Sequence, residues 1–258
     1  MNGENLGAAN LGPVIFSDMK SALYKGWCDM RRAPLYGAVV ASICVAFGVL
    51  LAAVTLASGQ SYWLVFAAVG FPLFGPFTAV ALYETSRRLE AEEALVFTEI
   101  FGLVLHQARR QLPSLCTIIL MVFLFWFFIA HMIFALFMGL STMTNVSSSL
   151  EIYLSPNGLT MLAVGSAVGA LFALLLFMIT VFALPMLLER EVDFVTAMIT
   201  SFAAVQNNLI LMAFWGALIA VSTFAALLPL FLGLYIVLPL FGHASWHLYR
   251  AAQARSGS

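Results

Sequence analysis

The sequence predicts an all-α, polytopic membrane protein with six transmembrane helices. Of the 258 residues, 63% are hydrophobic and 9% are charged, and the mean hydropathy is +1.02. A chain of this composition has too few polar side chains to cover a water-soluble globule. In addition, the eleven Lys and Arg residues all fall in alternate gaps between long apolar runs. The lipid bilayer is therefore the expected solvent of the protein.

Each of the six apolar runs is long enough to cross about 30 Å of hydrocarbon at about 1.5 Å per residue. The runs are residues 35–58, 62–84, 115–139, 159–188, 209–228 and 230–249. Basic residues lie before the first run, between the second and third, between the fourth and fifth, and after the sixth. By the positive-inside rule, both termini are expected in the cytoplasm. The polar N-terminus lacks the pattern of a cleavable signal peptide, so the first run is expected to be an uncleaved anchor.

Each cytoplasmic gap that precedes a pair of runs has the pattern of an amphipathic helix, with apolar residues at three-to-four spacing. The stripes are Phe16, Met19, Leu23, Trp27 and Met30; Phe97, Ile100, Phe101, Val104 and Leu105; and Phe194, Met198, Phe202 and Val205. Such helices are expected to lie along the inner membrane face. With Phe16, Phe97 and Phe194 as their first residues, three repeats of an interfacial helix and a transmembrane hairpin are predicted. Residues 16–250 would form one membrane domain, between a flexible tail at 1–15 and a C-terminal tail at 251–258.

Proline recurs towards the inner halves of the even-numbered runs, at Pro72 and Pro76, then at Pro185 and Pro239. The favoured interpretation is a packing kink, because proline is common in membrane helices and neighbours satisfy the freed carbonyl. The alternative is a set of broken helices around a transport site. The segment that contains Pro72, Gly75 and Pro76 is the best candidate for such a site.

Among the titratable residues, Glu84 lies at the inner end of the second run, three and four residues before Arg87 and Arg88. A local ion pair explains this spacing, and an ion or proton route is the alternative. His131 lies deep in the third run and is expected to hydrogen-bond a neighbouring helix, in preference to acting as a ligand or relay.

His243 and His247 are four residues apart, a spacing that places both on one helical face and can hold a metal ion. Neither an acidic residue nor a cysteine is close in sequence to complete such a site. The favoured interpretation is an anchor in the headgroup zone, together with Trp246, Tyr249 and Arg250. His131 and His243 differ too much in depth to share one haem. No metal or cofactor is therefore predicted.

Several motifs resemble those of a proteobacterial family of integral membrane proteins of unknown function, some of whose members are labelled as a cytochrome c oxidase subunit. The motifs are Gly26-Trp27, Arg32-Ala33-Pro34, Gly70-Phe71-Pro72-Leu73-Phe74-Gly75-Pro76, Leu82-Tyr83-Glu84-x-Ser86-Arg87-Arg88-x-Glu90 and Leu238-Pro239-x-x-Gly242-His243-Ala244-x-Trp246-His247-Leu248-Tyr249-Arg250. The resemblance spans most of residues 20–250. It implies a membrane fold and a bacterial inner membrane, and it implies no chemistry.

The function classes are narrowed mainly by exclusion. Hydrolase, zinc-protease, P-loop and dinucleotide motifs are all missing from the sequence, so catalysis is not expected. A net charge of −1 provides no basic field for nucleic acid. The main hypothesis is a non-catalytic partner that assembles, stabilises or organises another inner-membrane complex, or that forms a homo-oligomer. The alternative is a transporter of a small or lipidic solute, with its site at the proline-broken even-numbered spans.

Overall fold

The computed structural model describes residues 7–59, 63–139 and 151–257, with side chains described from residue 74 in the second segment and from residue 153 to residue 256 in the third. Every regular element of this described part is helical. The α-helices are α1 Phe16–Arg32, α2 Pro34–Ser58, α3 Trp63–Glu90, α4 Phe97–Gln107, α5 Leu112–Met138, α6 Glu151–Leu154, α7 Pro156–Thr180, α8 Ala183–Glu189, α9 Phe194–Gln206, α10 Leu209–Leu227 and α11 Leu234–Ala254. The predicted all-α class is confirmed for these residues.

Among the described residues, four helical segments are long and apolar enough to cross a membrane. They are α2, α5, the combined α7 and α8, and α10, which correspond to the first, third, fourth and fifth predicted runs. The second and sixth runs lie on α3 and α11. Both of these helices carry polar and charged residues in their C-terminal halves, which lowers the hydropathy of α11 below that of α5. The count of six spans stays a prediction.

The helices α1, α4 and α9 begin at Phe16, Phe97 and Phe194, the residues predicted from the sequence. Two longer helices follow α1 and two follow α9, whereas α4 is followed by α5, the four-residue α6 and the combined α7 and α8. That the chain consists of three repeats of an interfacial helix and a transmembrane hairpin stays a prediction. Two residues of the predicted apolar stripe of α1, Phe16 and Trp27, are 50% and 43% exposed, so this stripe is not the face that α1 buries against protein. Its placement along the inner membrane face stays a prediction.

Small residues form the face that α1 does bury, and they let it approach α11 closely. Its buried residues are Met19, Ala22, Gly26 and Asp29. A Cβ on Gly26 would lie 2.7 Å from the backbone nitrogen of Ala244. Close helix packing in membranes depends on such small residues. The two helices run antiparallel, since Asp18 near the start of α1 pairs with Arg255 just after α11 at 2.8 Å.

The residues before α1 also pack against the last helix. Ala9 and Val14 are each 2% exposed, and the Gly12 N–H donates a hydrogen bond to the Ala252 carbonyl at 2.8 Å. Part of the segment predicted as a flexible tail thus contacts α11. The predicted domain boundaries themselves stay a prediction.

The prolines interrupt only one of the predicted even-numbered spans. α3 continues through Pro72 and Pro76, and α11 continues through Pro239, so the alternative of broken helices was wrong for these two. A proline removes one backbone hydrogen bond, which the rest of a long helix tolerates when neighbours pack around it.

The interruption in the fourth span lies between α7 and α8, shortly before Pro185, and a side chain from α9 fills it. The Ser201 hydroxyl donates to the Met178 carbonyl at 2.7 Å and accepts from the Phe182 N–H at 3.1 Å. Ser201 therefore inserts into the hydrogen-bond ladder of the helix, which is a known cause of helix bending.

Candidate functional site

A cavity of about 320 Å³ lies between α2, α3, α7, α8, α10 and α11. Its volume falls within the range of about 300–1,000 Å³ that is typical of small-molecule sites. α3 supplies Phe74, Gly75, Thr78, Ala79, Leu82 and Tyr83, and the other helices supply mainly Val, Ile, Leu and Phe residues. The lining is therefore predominantly apolar.

The cavity has an exposed rim and a buried base. Ile43 on α2 and Phe74 on α3 form part of the rim and are 49% and 52% exposed. Leu82, Tyr83 and Val181 form part of the base and are at most 7% exposed. In a bilayer, the gap between α2 and α3 would face hydrocarbon, so an apolar chain could enter from the side.

The predicted Pro72–Pro76 segment contributes one residue to this cavity. Gly75 lines it, and a Cβ built on Gly75 would meet no atom within 4 Å. Pro76 is buried and lies outside the lining. The side chain of Pro72 lies outside the described residues. The open space at Gly75 means that a larger side chain there would fill the cavity.

A buried polar network lies next to the base of the cavity, where α1, α3 and α11 meet. The network consists of Asp29, Ser86, His243 and His247, which are 6%, 0%, 0% and 8% exposed. His247 Nε2 lies 2.7 Å from Asp29 Oδ2, and His243 Nδ1 lies 2.8 Å from Ser86 Oγ. The prediction that the two histidines anchor the protein in the headgroup zone was wrong, because both are enclosed by protein.

One set of proton positions satisfies every close contact in the network. His247 Nε2–H donates to Asp29, the Ser86 hydroxyl donates to the same carboxylate, and His243 Nδ1–H donates to Ser86. His243 Nε2 and His247 Nδ1 have no partner among the described atoms.

The Asp29 carboxyl lies on α1, before the first candidate span, and its pKa reflects two opposing effects. Burial of the carboxyl raises its pKa, whereas the hydrogen bonds from His247 and Ser86 lower it by stabilising the charged form. The net pKa lies below the ordinary value of 3.8. Asp29 is therefore ionised at neutral pH.

The network does not have the connectivity of a metal or triad site. Each histidine bonds a different neighbour, and no group of three His, Cys, Asp or Glu residues that could hold a metal occurs among the described residues. In a catalytic triad, the carboxylate binds the same imidazole that contacts the serine. Here Asp29 binds His247, whereas Ser86 contacts His243.

A charged cleft of about 900 Å³ lies beyond the base, bordered by residues of α3, α4, α8 and α11. Glu84 is 2% exposed and accepts from Arg87 Nε and Arg88 Nε at 2.7 Å each. These are the contacts that the ion-pair interpretation requires. Arg88 also donates to Glu99 at 2.6 Å, and the hydrogen bond with Glu84 raises the pKa of both arginines.

His131 lies apart from the cavity and the network. Its Nδ1 lies 2.7 Å from the Phe127 carbonyl of the same helix, α5, and its side chain is exposed. The prediction that it hydrogen-bonds a neighbouring helix was therefore wrong, since the carbonyl one turn earlier is within reach.

Four residues at or beside the cavity were missed by the sequence analysis. They are Asp29, Tyr83, Ser86 and Ser245. Only Asp29 carried a usable signal: it continues the spacing of Met19, Ala22 and Gly26, so it lies on the small-residue face of α1. A charged residue on such a face indicates a buried partner.

Apolar helices of spanning length, with polar groups enclosed between them, define this chain as an integral membrane protein. Residues 64–189 match the model of a family described as predicted integral membrane protein (DUF2189). The matched range includes Gly75, Tyr83 and Ser86, and it leaves out α1 and α11. No curated protein and no solved structure matches the chain. The family description gives no activity, so it lends no support to the oxidase label.

Proposed function

We propose that this protein is a non-catalytic membrane protein that binds the apolar chain of a lipid in the cavity between α2, α3 and α11. The observation that carries the proposal is the cavity itself. Its volume suits a small ligand, its lining is apolar and its rim is exposed between two helices. In a membrane the natural occupant of such a space is part of a lipid.

The lining favours a lipidic over a polar ligand. It contains no Asp, Glu, Lys, Arg or His residue among the residues that the structure describes. A site for a polar solute needs polar groups at the depth of the solute. This narrows the transport alternative to lipidic solutes, in a protein proposed to lie in a bacterial inner membrane with both termini in the cytoplasm.

The buried base favours retention of the ligand over its passage. Leu82 and Tyr83 on α3 close the cavity towards the charged cleft, together with Phe241 on α11, which is 7% exposed. A chain that enters from the side would therefore stop at the base. The proposed role is that of an accessory protein that holds a lipid, without a second exit for it.

Filling the cavity tests this proposal. The variant Gly75→Leu places a side chain in the open space, and Gly165→Leu is the matched control. Gly165 is also a helical glycine with nothing within 4 Å of an added Cβ, but it lies outside the cavity. Each protein is purified in mild detergent, and its retained lipids are quantified by mass spectrometry.

We expect wild type and Gly165→Leu to retain one lipid species in a fixed ratio to protein, and Gly75→Leu to lose it. Equal retention by all three proteins, or only a random sample of the membrane lipids in wild type, would contradict the proposal.

A second candidate is the partner of another membrane complex, supported by a groove of about 300 Å³ between α5 and α7. Trp126, Ala130, Gly165 and Gly169 line it, and small residues allow a foreign helix to approach. Quantitative mass spectrometry of proteins that copurify with a tagged copy tests it. A stoichiometric membrane complex that is lost in Gly165→Leu and kept in Gly75→Leu is the expected result, and its absence from wild type would count against this candidate.

A further inference from the structure

Two hydroxyl groups at the base of the cavity have no hydrogen-bond partner in the described part of the chain. Tyr83 on α3 and Ser245 on α11 both line the cavity and are 5% and 6% exposed. None of the hydrogen bonds between described residues involves either hydroxyl, and neither oxygen is among the fully enclosed atoms without a partner. Of the other lining hydroxyls, Thr78 and Thr180 donate to carbonyls of their own helices at 2.8 Å and 2.7 Å, whereas Thr223, which is only half-buried, also has no hydrogen bond among the described residues.

A hydroxyl that faces an apolar cavity without a partner destabilises the protein, because it has lost its hydrogen bonds to water. Buried polar groups are for this reason nearly always satisfied, and an exception requires an explanation. Among the lining residues, Tyr83 is the one nearest the charged C-terminal end of α3, and Ser245 is the one nearest the charged C-terminal end of α11. A ligand oxygen at the base would satisfy both hydroxyls.

We propose that the bound lipid carries an uncharged oxygen, in a hydroxyl or carbonyl group, at the end of its apolar chain, and that Tyr83 and Ser245 hydrogen-bond this oxygen. The inference rests on the proposed function and specifies the class of ligand. The apolar part of the lipid would extend from the base past Gly75 to the rim at Ile43 and Phe74.

Electrostatics restricts the ligand to an uncharged one. No cationic side chain is among the described lining residues, so a carboxylate or phosphate at the base would be buried without a counter-charge. A long-chain alcohol or a neutral acylglycerol fits this site better than a fatty acid does.

Cys44 provides a reporter inside the cavity. It lines the cavity and is 8% exposed, and the other two cysteines of the chain are Cys28 and Cys116. In a Cys28→Ser, Cys116→Ala background, Cys44 is the remaining thiol. The rate of its reaction with N-ethylmaleimide is measured in micelles that contain octadecanol, octadecane or stearate at pH 8.

We expect octadecanol to protect Cys44 at a mole fraction about tenfold lower than octadecane, because two hydrogen bonds add to the apolar contact. Stearate, as an anion, should protect no better than octadecane. Equal protection by the alcohol and the alkane, or strongest protection by stearate, would overturn the inference.

Substitutions of Tyr83 and Ser245 test whether their hydroxyls cause the stronger protection of Cys44 by octadecanol. Tyr83→Phe and Ser245→Ala should each weaken protection by octadecanol about threefold and leave octadecane unchanged. Thr180→Val is the matched control, since its hydroxyl already bonds the Leu176 carbonyl, and it should change neither. Unaltered octadecanol protection in both test variants would contradict the role of these residues. A reactive Cys44 that none of the three compounds protects would instead refute the proposed lipid-binding function itself.

Discussion

In helices α5 and α11, the relation between hydropathy and burial is the opposite of that in a water-soluble protein. α5 has a mean hydropathy of 2.6 over its most apolar window, yet 11% of that window is buried. α11 is less apolar, but it buries eleven residues, and these include His243, Ser245 and His247. The more polar helix thus forms the core, and the more apolar helix forms the surface.

The bilayer explains this inversion. Apolar side chains gain little from moving out of lipid into protein, because lipid tails are as apolar as leucine. Polar side chains gain much, because hydrocarbon offers them no hydrogen bond. In this protein the burial of Asp29, Ser86 and the two histidines therefore marks the centre of the packing between α1, α3 and α11.

We expect the largest loss of stability when a buried aromatic ring is removed. Phe182 is fully buried and Phe128 on α5 is 72% exposed. We expect Phe182→Ala to reduce the free energy of unfolding by about 4 kcal/mol through lost packing contacts, and Phe128→Ala by less than about 0.5 kcal/mol. Equilibrium unfolding in mixed micelles with increasing SDS measures both. Similar losses for the two variants would show that α5 is packed against protein.

Removal of the Asp29 carboxylate should have the next largest effect. Asp29→Ala leaves His247 buried without its partner, and we expect a loss of about 3 kcal/mol in the free energy of unfolding. The matched control is Asp18→Ala on the same helix, whose pair with Arg255 is partly exposed, so a much smaller loss is expected. The same unfolding assay applies. If the control variant proved equally unstable, burial would not explain the importance of Asp29.

The close approach of α1 to α11 should tolerate no larger side chain. Gly26→Leu would drive a side chain into the backbone of Ala244, and we expect a loss of about 2 kcal/mol through overpacking. Gly102→Leu on α4 is the control, because nothing lies within 4 Å of its added Cβ. A cross-link between cysteines placed at Asp18 and Arg255 measures separation of the two helices. Retention of that cross-link in Gly26→Leu would argue against the predicted displacement.

The smallest expected effect is a change in the contribution of Asp29 to stability at acid pH. The pKa of Asp29 is lowered in the folded protein, so its ionised form contributes stability above the ordinary pKa of 3.8, and this contribution is lost as the pH falls through the folded value. The difference in unfolding free energy between wild type and Asp29→Asn should therefore shrink below about pH 4. His243, His247 and Ser86 are the polar groups of the network that surround Asp29 in both proteins. A constant difference from pH 7 to pH 3 would show that the Asp29 charge is not stabilising.

Local sequence patterns determined the helices. Hydropathy and helical spacing depend on neighbouring residues, so they were enough to predict the all-α class, the apolar spans now seen as α2, α5, α7 with α8, and α10, and the starts of α1, α4 and α9. The ion pairs of Glu84 with Arg87 and Arg88 were also accessible, since these residues lie within one turn of α3.

The tertiary structure decided which residues meet. Asp29 and His247 are 218 positions apart, and Ser86 and His243 are 157 positions apart, so no local pattern links them. The same holds for Tyr83 and Ser245, which become a pair of unpartnered hydroxyls only once α3 and α11 enclose the cavity. Hydrophobicity selects the segments that enter the membrane, but in a uniformly apolar solvent it gives little information on how those segments pack. That choice rests on small residues such as Gly26, which permit close approach, and on polar side chains that must find partners across the helices.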